Sequence, residues 1–208
     1  MNRWRMAAIV EGQGEVSALP ALCHRLFKEL SLPGTLVIEP ILRESATRLL
    51  KSGGIERFVE LAARKLRGEG SLLVLLDCDD HCPAVLGPQL LARVRANHPY
   101  TPCAVVLAHR EFEAWFLGAA ESLRGTCRLP TTLIPHPQPE SPRDCKGWLS
   151  SHMPAGKPYD PVMDQVVLVR AMDITAATQA CPSFAKLVRD FGSLIRAQSF
   201  PGNRTAPH

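Results

Sequence analysis

The chain has 208 residues, 46% of them hydrophobic and 21% charged, the balance of an ordinary globular protein. That excludes a disordered, collagenous or disulfide-stapled chain, and the length gives one domain with at most a helical appendage. The net charge of +4 is spread evenly over both halves, so it permits contact with nucleic acid without demonstrating it.

Met6 to Val10 is a short apolar run entering Glu11-Gly12-Gln13-Gly14-Glu15. Val16, Leu19, Leu22, Leu26 and Leu30 then recur at steps of three and four, so the spacing predicts strand, glycine turn and amphipathic helix. After Pro33-Gly34, the β-branched and aliphatic stretch Thr35 to Leu42 predicts a second strand. Ile55, Phe58, Val59, Ala62 and Leu66 set a second helical stripe, closed by Gly68 and Gly70. Leu72 to Leu76 is a third strand, and it runs into Asp77-Cys78-Asp79-Asp80. Leu90, Leu91 and Val94 predict only a brief third helix before Asn97 and Pro99, and Cys103 to Ala108 is a fourth strand. Glu111 to Leu123 has helical spacing, with Phe112, Trp115, Phe116 and Ala119 on a packing face. Pro130 to Pro142, with its five prolines, reads as a loop; Pro161 to Met172 and Pro182 to Ile195 read as helices. Apolar runs alternating with amphipathic helices predict an α/β fold with a mostly parallel sheet covered on both faces. We expect an α/β core over 1–125, a proline-rich loop and helical extension packed on it over 126–197, and a flexible tail over 198–208.

Seven cysteines, an odd number, and an opening without a long apolar stretch predict free thiols and a cytoplasmic location. The apolar runs are strand-length, short of the roughly 20 residues that span a bilayer.

Ligands of parallel α/β sheets gather at the carboxyl ends of the strands. Both acidic clusters fall there: Glu11 and Glu15 after the first strand, and Asp77, Asp79 and Asp80 after the third. Crowded carboxylates repel one another unless a cation neutralises them, and oxygen ligands suit Mg²⁺ or Mn²⁺. The plainer reading is that Glu15 or Asp80 caps a helix N-terminus. Gly12 and Gly14 suggest a tight turn that lets a phosphate approach the backbone, yet the segment is neither a Rossmann fingerprint nor a Walker loop.

The order Ile9-Val10-Glu11-Gly12 and then Leu76-Asp77-Cys78-Asp79 resembles the Toprim signature of topoisomerases, primases and OLD-type nucleases. Together with Arg110-Glu111-Phe112-Glu113-Ala114-Trp115-Phe116-Leu117 and the ending Met172-Asp173 through Cys181-Pro182-Ser183-Phe184, it resembles a family of small Toprim-like proteins over residues 6–192. Members are often encoded beside AAA or ABC-type ATPases, and the nuclease effector of the PARIS phage-defence system is similar in kind. The resemblance implies a Toprim-like Rossmannoid α/β fold and a nuclease using Mg²⁺ or Mn²⁺ on DNA or tRNA, working with such an ATPase in phage defence. Glu11, Asp77 and Asp79 match the family's metal-binding and catalytic carboxylates. Glu15, Asp80, Glu111 and Glu113 are further metal-ligand candidates, although i and i+2 on a helix point apart, so only one of Glu111 and Glu113 is expected to face the site.

Lys146 and Lys157, near Trp148 and Tyr159, are candidates for substrate phosphates and base stacking, against ordinary surface and core roles. His109 and Arg110 are candidates for acid–base work or phosphate contact. Cys78, His81 and Cys82 lack the second pair of ligands a structural zinc site needs. Two rivals stand beside the nuclease: a noncatalytic adaptor that regulates an ATPase, and a Mg²⁺-dependent phosphatase-like or receiver-like domain. Either an isolated chain or a homo-oligomer is compatible with the sequence.

Overall fold

The computed structural model describes residues 2–198. Strands β1 (Arg3–Val10), β2 (Thr35–Arg43), β3 (Ser71–Asp77) and β4 (Cys103–Ala108) form one sheet in the order β2-β1-β3-β4, parallel throughout. Alternate residues of a strand face opposite sides. Accordingly Met6, Ala8, Val10, Leu73, Leu75 and Val106 belong to one buried cluster, and Ala7, Ile9, Leu72, Val74, Leu76 and Leu107 to the other. Both faces are covered, which is why these strands carry no polar alternation.

The helices are α1 (Gln13–Glu29), α2 (Ala46–Leu50), α3 (Gly54–Leu66), α4 (Pro83–Asn97), α5 (Ala114–Gly118), α6 (Cys145–Ser151), α7 (Pro161–Ala171), α8 (Ile174–Ala180) and α9 (Pro182–Gln198). Helices α2, α3 and α4 bury their apolar stripes in one cluster; α1 and α5 to α9 share the other. This is an α/β Rossmannoid arrangement with a C-terminal helix. Each fully buried large apolar side chain contributes about 1.5–3 kcal/mol relative to exposure. Trp115 also has its indole N–H satisfied, donating to Ser183 Oγ at 2.8 Å, and stacks edge-on against Phe184.

Two expected elements differ. Helix α4 is 15 residues long, not brief: only Gly87, Leu90 and Val94 are buried, so its exposed first turns leave no stripe to read. The expected helix over 111–123 is instead α5 plus a 3-10 turn at Ala120–Leu123, with Glu111 and Glu113 in the preceding turn. Gln198, expected in the tail, ends α9; its side chain accepts from the Arg5 N–H and donates to Ser71 Oγ. The rest of that tail lies outside the described residues. No helix among the described residues is long and apolar enough to cross a membrane, and all seven cysteines are free.

Candidate functional site

The order β2-β1-β3-β4 reverses direction between β1 and β3, and ligand crevices of open α/β sheets form at such a point. A cleft of about 370 Å³ opens there, lined by Glu11, Glu15, Asp77, Glu113, Lys146 and Gln165 among others. Glu11 and Glu15 come from the exit of β1, Asp77 from the end of β3, and Glu113 from the turn after β4.

Glu15 lies at the third position of α1, and its Oε2 accepts from the backbone N–H groups of Glu11 (3.1 Å) and Gly12 (3.3 Å). It therefore does cap the helix. Yet it is only 4% exposed, and burial pushes its pKa up to about 7, against the two N–H donors and with help from Glu113 and Glu11. Asp77 Oδ1 accepts from the Phe112 N–H at 2.8 Å, which fixes the carboxylate. Burial, Glu15 and Glu113 raise the Asp77 pKa, opposed by Lys146 and that N–H. Glu113, 1% exposed, is also raised by burial; its Oε1 accepts from Tyr159 Oη at 3.0 Å and from Gln165 Nε2 at 3.4 Å. Glu11 Oε1 accepts from the Ala46 N–H at 3.1 Å, at the start of α2.

Lys146 stands among these acids. Its Nζ lies 3.0 Å from Glu113, 3.3 Å from Glu111 and 3.8 Å from Asp77. Burial works against the ammonium, but the three carboxylates outweigh it and hold the pKa above the usual lysine value. Lys146 is thus a counter-ion inside the acidic cluster, not a cation on a substrate-facing surface as expected. Glu111 and Glu113 both turn toward it, against the expectation that only one would face the site, because neither lies within the helix; helical divergence does not apply to them.

The remaining candidates lie elsewhere. Asp79 does not join Asp77: β3 ends at Asp77, and Asp79 takes a left-handed backbone (φ 46°) while its N–H donates to the Arg110 carbonyl, so the chain turns away. Asp80 is neither cap nor cleft ligand; it pairs with Arg110 at 2.5 Å and Arg143 at 2.8 Å. Arg110 also donates to the Asp79 carbonyl and is spent on fixing this loop. His109 sits 3.9 Å from Glu140 in a separate hollow with Pro137, Pro139 and Pro182. Lys157 is exposed and is not among the cleft's lining residues. Tyr159 is buried with its hydroxyl on Glu113, so it offers no face for base stacking, while Trp148 stacks on His152. Cys78 is buried, and its Sγ accepts from the Arg110 N–H.

Gly14 has a different reason from the one expected. A Cβ there would meet Gln165 Oε1 at 2.2 Å and the Pro161 carbonyl oxygen at 2.3 Å, so the residue permits α1 to pack directly on α7. Gln165 itself gave no signal, standing beside Asp164 in the first turns of a mainly apolar helix; the small residue opposite it, Gly14, was the trace.

A family model described as a domain of unknown function (DUF4276) matches residues 10–191. The chain belongs to that family. No curated protein and no solved structure matches it. The matched span runs from β1 into α9 and so includes every residue lining the cleft.

The donor chemistry of this cleft fits a hard divalent cation: the groups are carboxylate and carboxamide oxygens. Two buried oxygens, Glu11 Oε2 and Gln165 Oε1, lack a hydrogen-bond partner, a costly condition that a ligand would relieve. As the side chains stand, however, no group of three or more His, Cys, Asp or Glu among the described residues is placed to hold a metal ion. Three of the carboxylates are turned onto Lys146 instead.

Proposed function

We propose that the cleft is a Toprim-type, divalent-metal-dependent phosphodiesterase site acting on nucleic acid, DNA or tRNA, with Mg²⁺ or Mn²⁺ as cofactor. In this reading the protein is a nuclease that works with an AAA or ABC-type ATPase in phage defence. One observation carries it: Glu11, Glu15, Asp77, Glu111 and Glu113 gather at the strand ends, and among the described residues Lys146 is the one basic side chain ion-paired to any of them. Structural ion pairs balance charge; this cluster leaves carboxylates over, two of them raised chiefly by burial in the absence of any cation on Glu15.

Glu11 through Oε2, Glu15 and Asp77 would hold the ion. The chemistry such an ion would supply there is polarisation of a phosphodiester and a lowered pKa of an attacking water. The Phe112 N–H keeps Asp77 oriented, and the N–H groups of Glu11 and Gly12 keep Glu15 in place, so both carboxylates are preorganised. Burial raises the Glu15 pKa to about 7, and a bound cation would favour its ionised form. The Lys146 ammonium stays charged and offsets part of the negative charge of Asp77, Glu111 and Glu113.

The test is cleavage of DNA and tRNA with Mn²⁺, by the protein alone and with a candidate ATPase. Metal-dependent cleavage abolished by Glu11→Gln, with folding intact by circular dichroism, is the expected result. No cleavage under any of these conditions favours the noncatalytic adaptor.

A further inference from the structure

Helix α7 is apolar on both its faces. Asp164, Gln165, Leu168 and Val169 are buried, and α1 packs against them. The opposite face carries Val162, Met163, Val167 and Ala171, all exposed, with half-buried Val166 between them. Met163 alone is 68% exposed. The other large exposed apolar side chains among the described residues, Leu61, Val85, Tyr100 and Ile134, lie in four separate segments, so α7 is where such side chains gather. A helix that is apolar all round is normally covered all round, and a contiguous exposed apolar patch marks an interface.

Opposite charges stand at the two ends of this stripe. Exposed Asp160 caps the helix, its Oδ1 accepting from the Val162 N–H at 2.8 Å, and exposed Arg170 lies in the last turn. Neither joins an ion pair among the described residues, and the Arg170 side chain makes no hydrogen bond there. The helix dipole favours each charge at its own end, which accounts for the charges but not for the apolar stripe between them.

We propose that α7 is the contact through which two copies of this chain associate, the two helices running antiparallel about a two-fold axis beside position 165. A two-fold contact uses the same patch on both copies, so each pairing occurs twice. Centred there, Met163 of each copy meets Val167 of the other, and Asp160 of each meets Arg170 of the other. One centre serves both the apolar pair and the charged pair, and that self-complementarity singles out a second copy as the occupant. At about 1.5 Å per residue, α7 is roughly 16 Å long. Its patch is therefore smaller than the roughly 800 Å² per partner of a standard interface, and the dimer is weak and reversible. Because Pro161 and Val162 also line the cleft, the contact brings Arg170 of the second copy to the cleft's rim. The proposal goes beyond the nuclease reading and does not depend on the chemistry of the cleft.

The experiment is sedimentation velocity of the full chain over a concentration series reaching roughly 1 mM. Wild type is expected to pass from monomer to dimer as concentration rises. Met163→Glu and Val167→Lys each bury an unpaired charge in the contact and are each expected to weaken association by at least about tenfold. Both positions are exposed, so neither substitution enters the core, and circular dichroism checks the fold. An equimolar mixture of the two variants is expected to dimerise again, since the substituted positions then face each other with opposite charge. Wild type that stays monomeric throughout overturns the proposal and leaves the face to a different partner, such as an ATPase. A dimer that survives both substitutions, or a mixture no more associated than its separate components, overturns it as well.

Discussion

The two ends of the parallel sheet handle charge in opposite ways. At the amino ends of the strands, Arg3 pairs with Glu39 at 3.7 Å and Arg5 with Glu69 at 3.8 Å, around a hollow also lined by Lys65 and Arg67. Arg5 further donates to the carbonyls of Leu66 and Lys65, at the C-terminus of α3, where a cation is welcome. Opposite charges face each other in the open there. At the carboxyl ends, Glu15 and Glu113 are almost wholly buried, Lys146 answers only part of the cluster, and two oxygens remain unsatisfied. Balanced charge at one end supports the fold; unbalanced charge at the other costs stability, and such costs are tolerated chiefly at functional sites.

The strongest way to break this contrast is Gly14→Ala. The new methyl would collide with backbone and carboxamide oxygens at little over 2 Å, and α1 would be forced off α7. Destabilisation of about 1–3 kcal/mol, the cost of overpacking, is expected in denaturant melts, together with weakened Mn²⁺ binding. Next comes Lys146→Met, which strands three carboxylates. A buried pair broken on one side costs about 3–5 kcal/mol, but Lys146 is 38% exposed, so roughly 1–3 kcal/mol is expected in metal-free protein, recovered as Mn²⁺ is added.

A pH series sharpens the same contrast. The ordinary value for Glu15 is about 4.5, and in the folded chain it is about 7. Below 4.5 the group is protonated whether folded or not. Between 4.5 and 7 only the folded chain holds the proton, so stability falls as pH rises, and the loss is complete above about 7. Asp77 and Glu113, also raised, act in the same direction. Thermal melts of metal-free protein should therefore drop across this window, and Mn²⁺ should flatten the drop. The smallest effect belongs to the other end: Arg3→Ala removes an exposed pair and should cost no more than about 1 kcal/mol, with Mn²⁺ binding unchanged.

How much of this was legible in the sequence follows from the range over which each feature is determined. The runs at Met6–Val10, Leu72–Leu76 and Cys103–Ala108 are apolar throughout because both sheet faces are covered, so the strands and the carboxylates at their ends could be read locally. Helices α2, α6 and α8, of five to seven residues, are too short to establish a stripe. Asp79 was unreadable for another reason: its spacing from Asp77 suits an extended strand, whereas a left-handed residue ends the alternation. The meeting of Lys146 with Glu111 joins positions 35 residues apart across a proline-rich loop, and only the tertiary path of that loop brings them together. Gln165 reaches the cleft from α7 through a close approach at Gly14, a packing relation that sequence spacing does not encode.

The central claim is that the carboxyl end of the sheet is a cation site. Calorimetric titration of the folded wild type and of Asp77→Ala with Mn²⁺, repeated with an oligonucleotide present, tests it most directly. The account predicts saturable binding in wild type that is lost in a folded Asp77→Ala. Equal binding by both proteins, or none by wild type in either condition, would contradict it.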